Sequence, residues 1–141
     1  MSDTFKSQVT IKFHQADPAG MMYFAHLFSL AHDTYEALIR ACGIDWNDWF
    51  IKQKYLLPIR HTECDFLRPF KAGETYKIEG QVIEFSKTSF VMEYQFFKEE
   101  NKHAIVKMVH TCLDKNTFQK TELPETVKQS LQKFYKGSKN V

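Results

Sequence analysis

Asp17 is followed by Pro18, Ala19 and Gly20, and the run from Phe13 to Glu36 reads FHQADPAGMMYFAHLFSLAHDTYE. An aspartate at the end of a strand, just ahead of an amphipathic helix, can attack a carbonyl carbon or take a proton from water. The helix start offers unpaired N–H groups and the positive end of the helix dipole, which suit a developing oxyanion. These residue types at this spacing suit the breaking of an activated acyl bond. The helix is expected to carry Tyr23, Phe24 and His26 in its first turn. Gly20 lets the backbone come close to a ligand. Taken alone, an Asp before Pro is also an ordinary turn former.

Such a site needs a frame to hold it. Val9, Ile11 and Phe13 alternate, which predicts a first strand over 8–14. Leu27, Leu30, Ala31, Tyr35, Leu38, Ile39 and Cys42 recur at the helical period and predict a helix over 25–42, with Gly43 as its C-cap. A short helix or ordered loop is expected over 45–54. Strands are expected over 57–66, 75–85, 89–97 and 104–114. A short extended piece and a terminal helix follow, the helix opened by Pro124 and ending near Tyr135. Hairpin turns between the four strands predict an antiparallel meander, and only the long helix is apolar enough to cover it. The fold class is therefore α+β: a long central helix wrapped by a curved antiparallel sheet. The free edge of such a sheet invites a second copy.

Composition excludes several function classes. The 141 residues are expected to form one domain, 1–141, with about 137–141 as a frayed tail. A net charge of +2 is too small to point to nucleic acid. No apolar run is long enough to insert in a membrane, and the polar start MSDTFKSQ is no signal peptide. Cys42, Cys64 and Cys112 are odd in number and lack a C-x-x-C spacing, so reduced thiols in a cytoplasmic protein are expected. His14, His26 and His32 lack the spacing of a metal site, and none is expected. The 15% of aromatic residues, thirteen of them Phe, suit a thick core or an apolar binding slot.

The segment from Phe13 through Asp17, Pro18, Ala19, Gly20, Met21, Met22 and Tyr23, with Tyr35 and Glu36 in the helix, resembles the signature of the hotdog-fold acyl-CoA thioesterases of the 4-hydroxybenzoyl-CoA thioesterase group. Leu57 to His61 and Asp65 to Pro69 look like the second strand of that family. Within the group the likeness is greatest to the 1,4-dihydroxy-2-naphthoyl-CoA hydrolases. The resemblance implies hydrolysis of an acyl-CoA thioester, with no cofactor beyond the CoA of the substrate. It also implies a homodimer joined edge to edge, often doubled to a homotetramer, with active sites between subunits. Asp17 matches the catalytic carboxylate, as nucleophile or general base, and the Phe24 N–H matches the group that polarises the thioester carbonyl. Short-chain members carry His where Phe24 stands and Asn or Ser two residues later, where this chain has His26. Aromatic bulk at Tyr23 and Phe24 favours an aryl or medium-chain acyl group.

Each remaining candidate has a plainer alternative. His26 orients water or meets an acyl substituent, or it simply packs in the first turn. Glu36 supports the site from behind, or is a helix carboxylate with a local partner. Lys87, Thr88 and Ser89 form an ordinary solvated bend on sequence alone. The resemblance lays CoA phosphates over that bend and makes them substrate-binding candidates, with Arg60 and Arg68 as weaker ones of the same type. Two other functions remain open: an acyl carrier protein thioesterase, and a non-catalytic acyl-thioester binding module in which Asp17 would be dispensable.

Overall fold

Alternating burial builds one half of the core. In the computed structural model, which describes residues 4–137, the strands are β1 (Phe5–Thr10), β2 (Tyr55–Leu56), β3 (Ile59–Phe66), β4 (Thr75–Phe85), β5 (Ser89–Lys98), β6 (Asn101–Thr111) and β7 (Leu113–Asp114). Tyr76, Ile78 and Val82 of β4, Phe90, Met92, Tyr94 and Phe96 of β5, and Ala104, Val106 and Met108 of β6 are all buried. Gly80 fits among them because a Cβ there would lie 3.1 Å from the Tyr94 ring. The expected frayed tail lies, beyond Gly137, outside the described residues.

The other half comes from α1 (His26–Ala41), whose Leu27, Leu30, Ala31, Thr34, Tyr35, Leu38 and Ile39 are buried. Removing each such large apolar side chain from water stabilises the fold by about 1.5–3 kcal/mol. The shorter α2 (Glu125–Leu131) adds Val127 and Leu131, and Phe134 beyond it meets Phe5 edge-on at 5.7 Å. The helix-covered antiparallel sheet expected from the sequence is therefore present. Among the described residues, no helix is long and apolar enough to cross a membrane.

Three expectations about the elements need correction. The five-stranded sheet has the order β1-β4-β5-β6-β3, so only β4, β5 and β6 form a meander. β3 crosses to the far side and pairs with β6 rather than with β4. Eight residues containing Pro69 separate β3 from β4, which is too long and too stiff for a tight hairpin. The first strand ends at Thr10, and Phe13–Gln15 is a single 3₁₀ turn, so Phe13 leaves the expected apolar face and is 93% exposed. The strand expected over 104–114 breaks at Cys112, whose N–H donates to the Thr88 carbonyl at 2.8 Å.

The sheet has two distinct ends. At one lie the end of β3, the start of β4 and the β5–β6 turn. At the other lie the start of β3, the end of β6 and the β4–β5 turn. β4 alone spans 11 residues, roughly 35 Å at strand rise.

Candidate functional site

Asp17 organises a pinched loop between β1 and α1. Its N–H donates to the Met21 carbonyl at 2.7 Å, and its own carbonyl accepts from Gly20 at 2.9 Å. Its carboxylate Oδ1 accepts from the N–H of Ala19 at 2.9 Å and from that of Met21 at 3.4 Å. Pro18 suits the early turn position, and Gly20 takes φ +79°, where a residue with a Cβ is strained. The neck closes where the Tyr23 N–H donates to the Gln15 carbonyl at 2.9 Å. The loop is clipped to the β3–β4 connection by Met22 N–H to the Phe70 carbonyl (2.8 Å) and Ala72 N–H to the Gly20 carbonyl (3.1 Å).

This arrangement leaves Asp17 half-buried, with Oδ2 unpartnered among the described residues. The turn-forming bonds thus use one carboxylate oxygen and leave the other without a partner among the described residues. Because no Cβ neighbour lies within 4 Å at Gly20, a methyl group there meets only backbone strain. Gly20→Ala should therefore cost about 1 kcal/mol, read as a Tm lower by roughly 3 °C. An unchanged Tm would mean that the loop does not depend on this conformation.

Helix α1 begins later than expected. Tyr23 and Phe24 lie before it, because the His26 and Leu27 N–H groups are used on the Tyr23 and Phe24 carbonyls at 3.1 and 3.2 Å in a tight turn. The free donors are consequently the N–H groups of Phe24 and Ala25, which have no acceptor among the described residues. They precede the helix instead of sitting inside it. Tyr23 and Phe24 are 51% and 55% exposed with rings 4.9 Å apart, and the half-buried His26 meets Tyr23 edge-on at 6.1 Å. Asp17, Gly20, Tyr23, Phe24 and His26 therefore share one loop and one helix entry.

The other candidates are elsewhere. Arg60 is the unpaired residue of a bulge at the start of β3, and its Nε–H donates to Thr111 Oγ1 at 3.0 Å. Thr111 pairs with Ser89, so Arg60 stands beside the turn that holds Lys87 and Thr88. That turn is well ordered by its own bonds. Ser86 and Ser89 hydroxyls lie 2.7 Å apart, and the Lys87 and Thr88 carbonyls accept from Leu123 and Cys112. The Arg60 guanidinium and the exposed Lys87 amine have no carboxylate partner among the described residues. This basic group lies at the opposite end of the sheet from Asp17. Arg68 lies past the end of β3, on the Asp17 side, with its N–H on the His103 carbonyl at 3.1 Å.

Glu36 takes a local partner, with its Oε2 3.2 Å from His32 Nδ1. Sequence reasoning passed over His110, which lies between the rings of Tyr35 and Phe90 with Nδ1 donating to the Leu57 carbonyl at 3.0 Å. It also passed over Trp49, whose Nε1–H donates to the Tyr35 hydroxyl at 3.0 Å. Strand periodicity already put His110 on the inward face of β6, in phase with Val106 and Met108, and that was the available signal. Among the described residues no cluster of three side chains could hold a metal ion.

Comparison with known proteins gives these residues a family setting. The model of the thioesterase-like superfamily matches residues 11–131. A 1,4-dihydroxy-2-naphthoyl-CoA hydrolase of Synechococcus elongatus is 35% identical over 129 residues, covering 91% of this chain and 95% of that protein. The protein of the same name from Rippkaea orientalis is 34% identical over 125 residues, covering 86% and 91%. A solved 1,4-dihydroxy-2-naphthoyl-CoA thioesterase from Synechocystis superposes with a TM-score of 0.84 at 20% identity, over 92% of this chain and 96% of that one. Such structural likeness shows the fold, and the fold is the hotdog.

Proposed function

The chain belongs to the thioesterase-like superfamily, and from that premise we propose that it hydrolyses the thioester of an aromatic acyl-CoA to the free acid and CoA. Thioesterase activity on a CoA thioester is the common ground of its named relatives. The aromatic acyl group, the roles of the residues and the assembly are our reading. Asp17 acts through Oδ2, either on the carbonyl carbon or on a water. The thioester oxygen sits on the N–H groups of Phe24 and Ala25, which gain most as it becomes negative. The thiolate of CoA leaves without an acid, and the reaction draws on no cofactor or metal. Exposed Tyr23 and Phe24 give a flat acyl group aromatic surface to cover.

One observation supports this above the rest: two adjacent free backbone donors stand next to a loop whose carboxylate keeps one oxygen unused. A binding module would need neither. The unpaired edge of β3, exposed along most of its length, supports edge-to-edge dimers.

Thiol release across a panel of CoA esters tests the substrate class. Aryl-CoA esters should exceed straight-chain acyl-CoA esters by about tenfold or more in kcat/KM, the range one shape-matched apolar contact can supply. Equal rates across the panel would remove the aromatic assignment. Hydrolysis confined to esters of acyl carrier protein would remove CoA as the carrier.

A further inference from the structure

Asp17 lies at one margin of a narrow strip of bonded backbone whose other margin ends on a core side chain. Met21 stands opposite Lys71 in an isolated antiparallel bridge. The bonds that close this bridge belong to their neighbours, Met22 N–H to the Phe70 carbonyl and Ala72 N–H to the Gly20 carbonyl. In a pair of this kind the two facing residues turn their own N–H and C=O groups outward. Those of Met21 both reach Asp17: the N–H donates to Oδ1 at 3.4 Å, and the carbonyl accepts from the Asp17 N–H at 2.7 Å. Those of Lys71 point the other way. Its carbonyl accepts from the Glu74 N–H at 3.3 Å, and its N–H donates to the Tyr76 hydroxyl at 2.9 Å.

Tyr76 anchors this strip in the core. It is fully buried on β4, with its ring 4.6 Å from Phe70 and 5.0 Å from His103. Burial raises its pKa, so the phenol keeps its proton and donates to Glu74 Oε2 at 3.2 Å while accepting from Lys71. His103 Nδ1 donates to the Pro69 carbonyl at 3.0 Å and ties down the same connection two residues before Lys71. Close packing in the sheet gives the hydroxyl a fixed place, and the strip carries that place to the loop.

Resting on the thioesterase reading above, we propose that Tyr76 is a positioning residue for the reaction, its hydroxyl setting the orientation of the Asp17 carboxylate through Lys71 and Met21. It touches neither the ester nor the reacting oxygen. Without the hydroxyl, the Lys71 N–H loses its acceptor and the bridge to Met21 is free to shift. Met21 N–H is one of the two donors to Oδ1, so Oδ2 would turn with it. Rates are steep in such displacements, and about 1 Å can cost about 100-fold.

Tyr76→Phe removes the oxygen and keeps the packed ring. Thiol release is followed on the aryl-CoA ester cleaved fastest in the panel above. The change should lower kcat by about tenfold or more and leave KM within about twofold. A kcat within about twofold of the parent overturns the proposal. The same change is then made in Asp17→Asn. A group that acts through the carboxylate has nothing left to position there, so the residual rate should be unchanged. An equal fold-loss in both backgrounds means that Tyr76 supports the fold in general, and overturns the proposal. Ile78→Val, another core change in β4, should lower Tm and leave kcat at the parent level. A kcat loss there matching that of Tyr76→Phe would again overturn it. Amide hydrogen exchange tests the strip without any substitution. The Asp17, Met22, Lys71 and Ala72 N–H groups of the parent should share one degree of protection, as parts of one opening unit. A Lys71 amide that exchanges freely while the others stay protected overturns the proposal. Failure of the Asp17 assignment is seen separately, as Asp17→Asn protein that hydrolyses the ester like the parent. That result ends both readings, whereas the outcomes above end only this one.

Discussion

Asp17→Asn should lower kcat by between about 100-fold and 10,000-fold while the protein stays folded with nearly its parent Tm. The contrast comes from the two oxygens of this side chain. Oδ1 accepts from the Ala19 and Met21 N–H groups and so holds the loop. An asparagine carbonyl can take over both bonds, and the loop should keep its shape. Oδ2 has no partner among the described residues, and replacing it by an amide NH₂ removes the lone pairs that attack carbon or accept a proton from water. Asp17→Ala is the complementary probe. It removes both oxygens, leaves two loop donors unsatisfied, and should cost about 1 kcal/mol of stability in addition, as loss of a helix cap does. Rates follow thiol release, and stabilities follow thermal melts. If Asp17→Asn turned over like the parent, the carboxylate would be a turn former alone and the reaction would need another group.

Much of the frame was legible because short-range rules fixed it. β4 runs over Thr75–Phe85 as its alternation predicted, and the apolar stripe of α1 is the one read from three- and four-residue spacing. What periodicity could not reach were matters decided by partners distant in sequence. β3 reads as a strand, but its place beside β6 depends on where the Pro69 connection can travel. Phe13 alternates in phase with Val9 and Ile11, yet it faces solvent because Gln15 closes a tight turn onto Lys12 at 2.9 Å. α1 starts at His26, past the Tyr23 and Phe24 expected in its first turn, and this moved the free donors out of the helix.

The site was legible in part for the same reason. Asp17, Gly20, Tyr23, Phe24 and His26 are neighbours in sequence, and local turns keep them neighbours in space. Lys87 to Ser89 share one bend along the chain, and Arg60 is distant from it in sequence. Only the register of β3, β5 and β6 reveals that they adjoin one another and stand away from Asp17. Along the chain the candidates look like a single site, whereas strand direction sorts them to two ends of the sheet.

The core makes its own demand on pH, through His110. Its ring is stacked 4.9 Å from Phe90 at 7° and 4.5 Å from Tyr35 at 26°, while Nε2 is buried without a partner. Burial pushes the imidazole pKa down from 6.5 to about 4, against the favourable Leu57 carbonyl, and nearby His32 adds a little repulsion. The native ring is therefore neutral at pH values where the unfolded chain already binds a proton. Stability is unaffected well above pH 6.5, falls as pH drops through 6.5, and has lost the whole contribution below about 4. A pKa lowered this far corresponds to a loss of about 3 kcal/mol across that range. Urea melts from pH 7.5 down to 4 should show this slope in the parent protein. His110→Gln, whose amide can still donate to Leu57 but does not titrate, should be weaker at pH 7.5 through lost stacking and flatter across the same range. Parallel curves for the two proteins would mean that acid acts on other groups and that the neutral, stacked imidazole is not what acid disrupts.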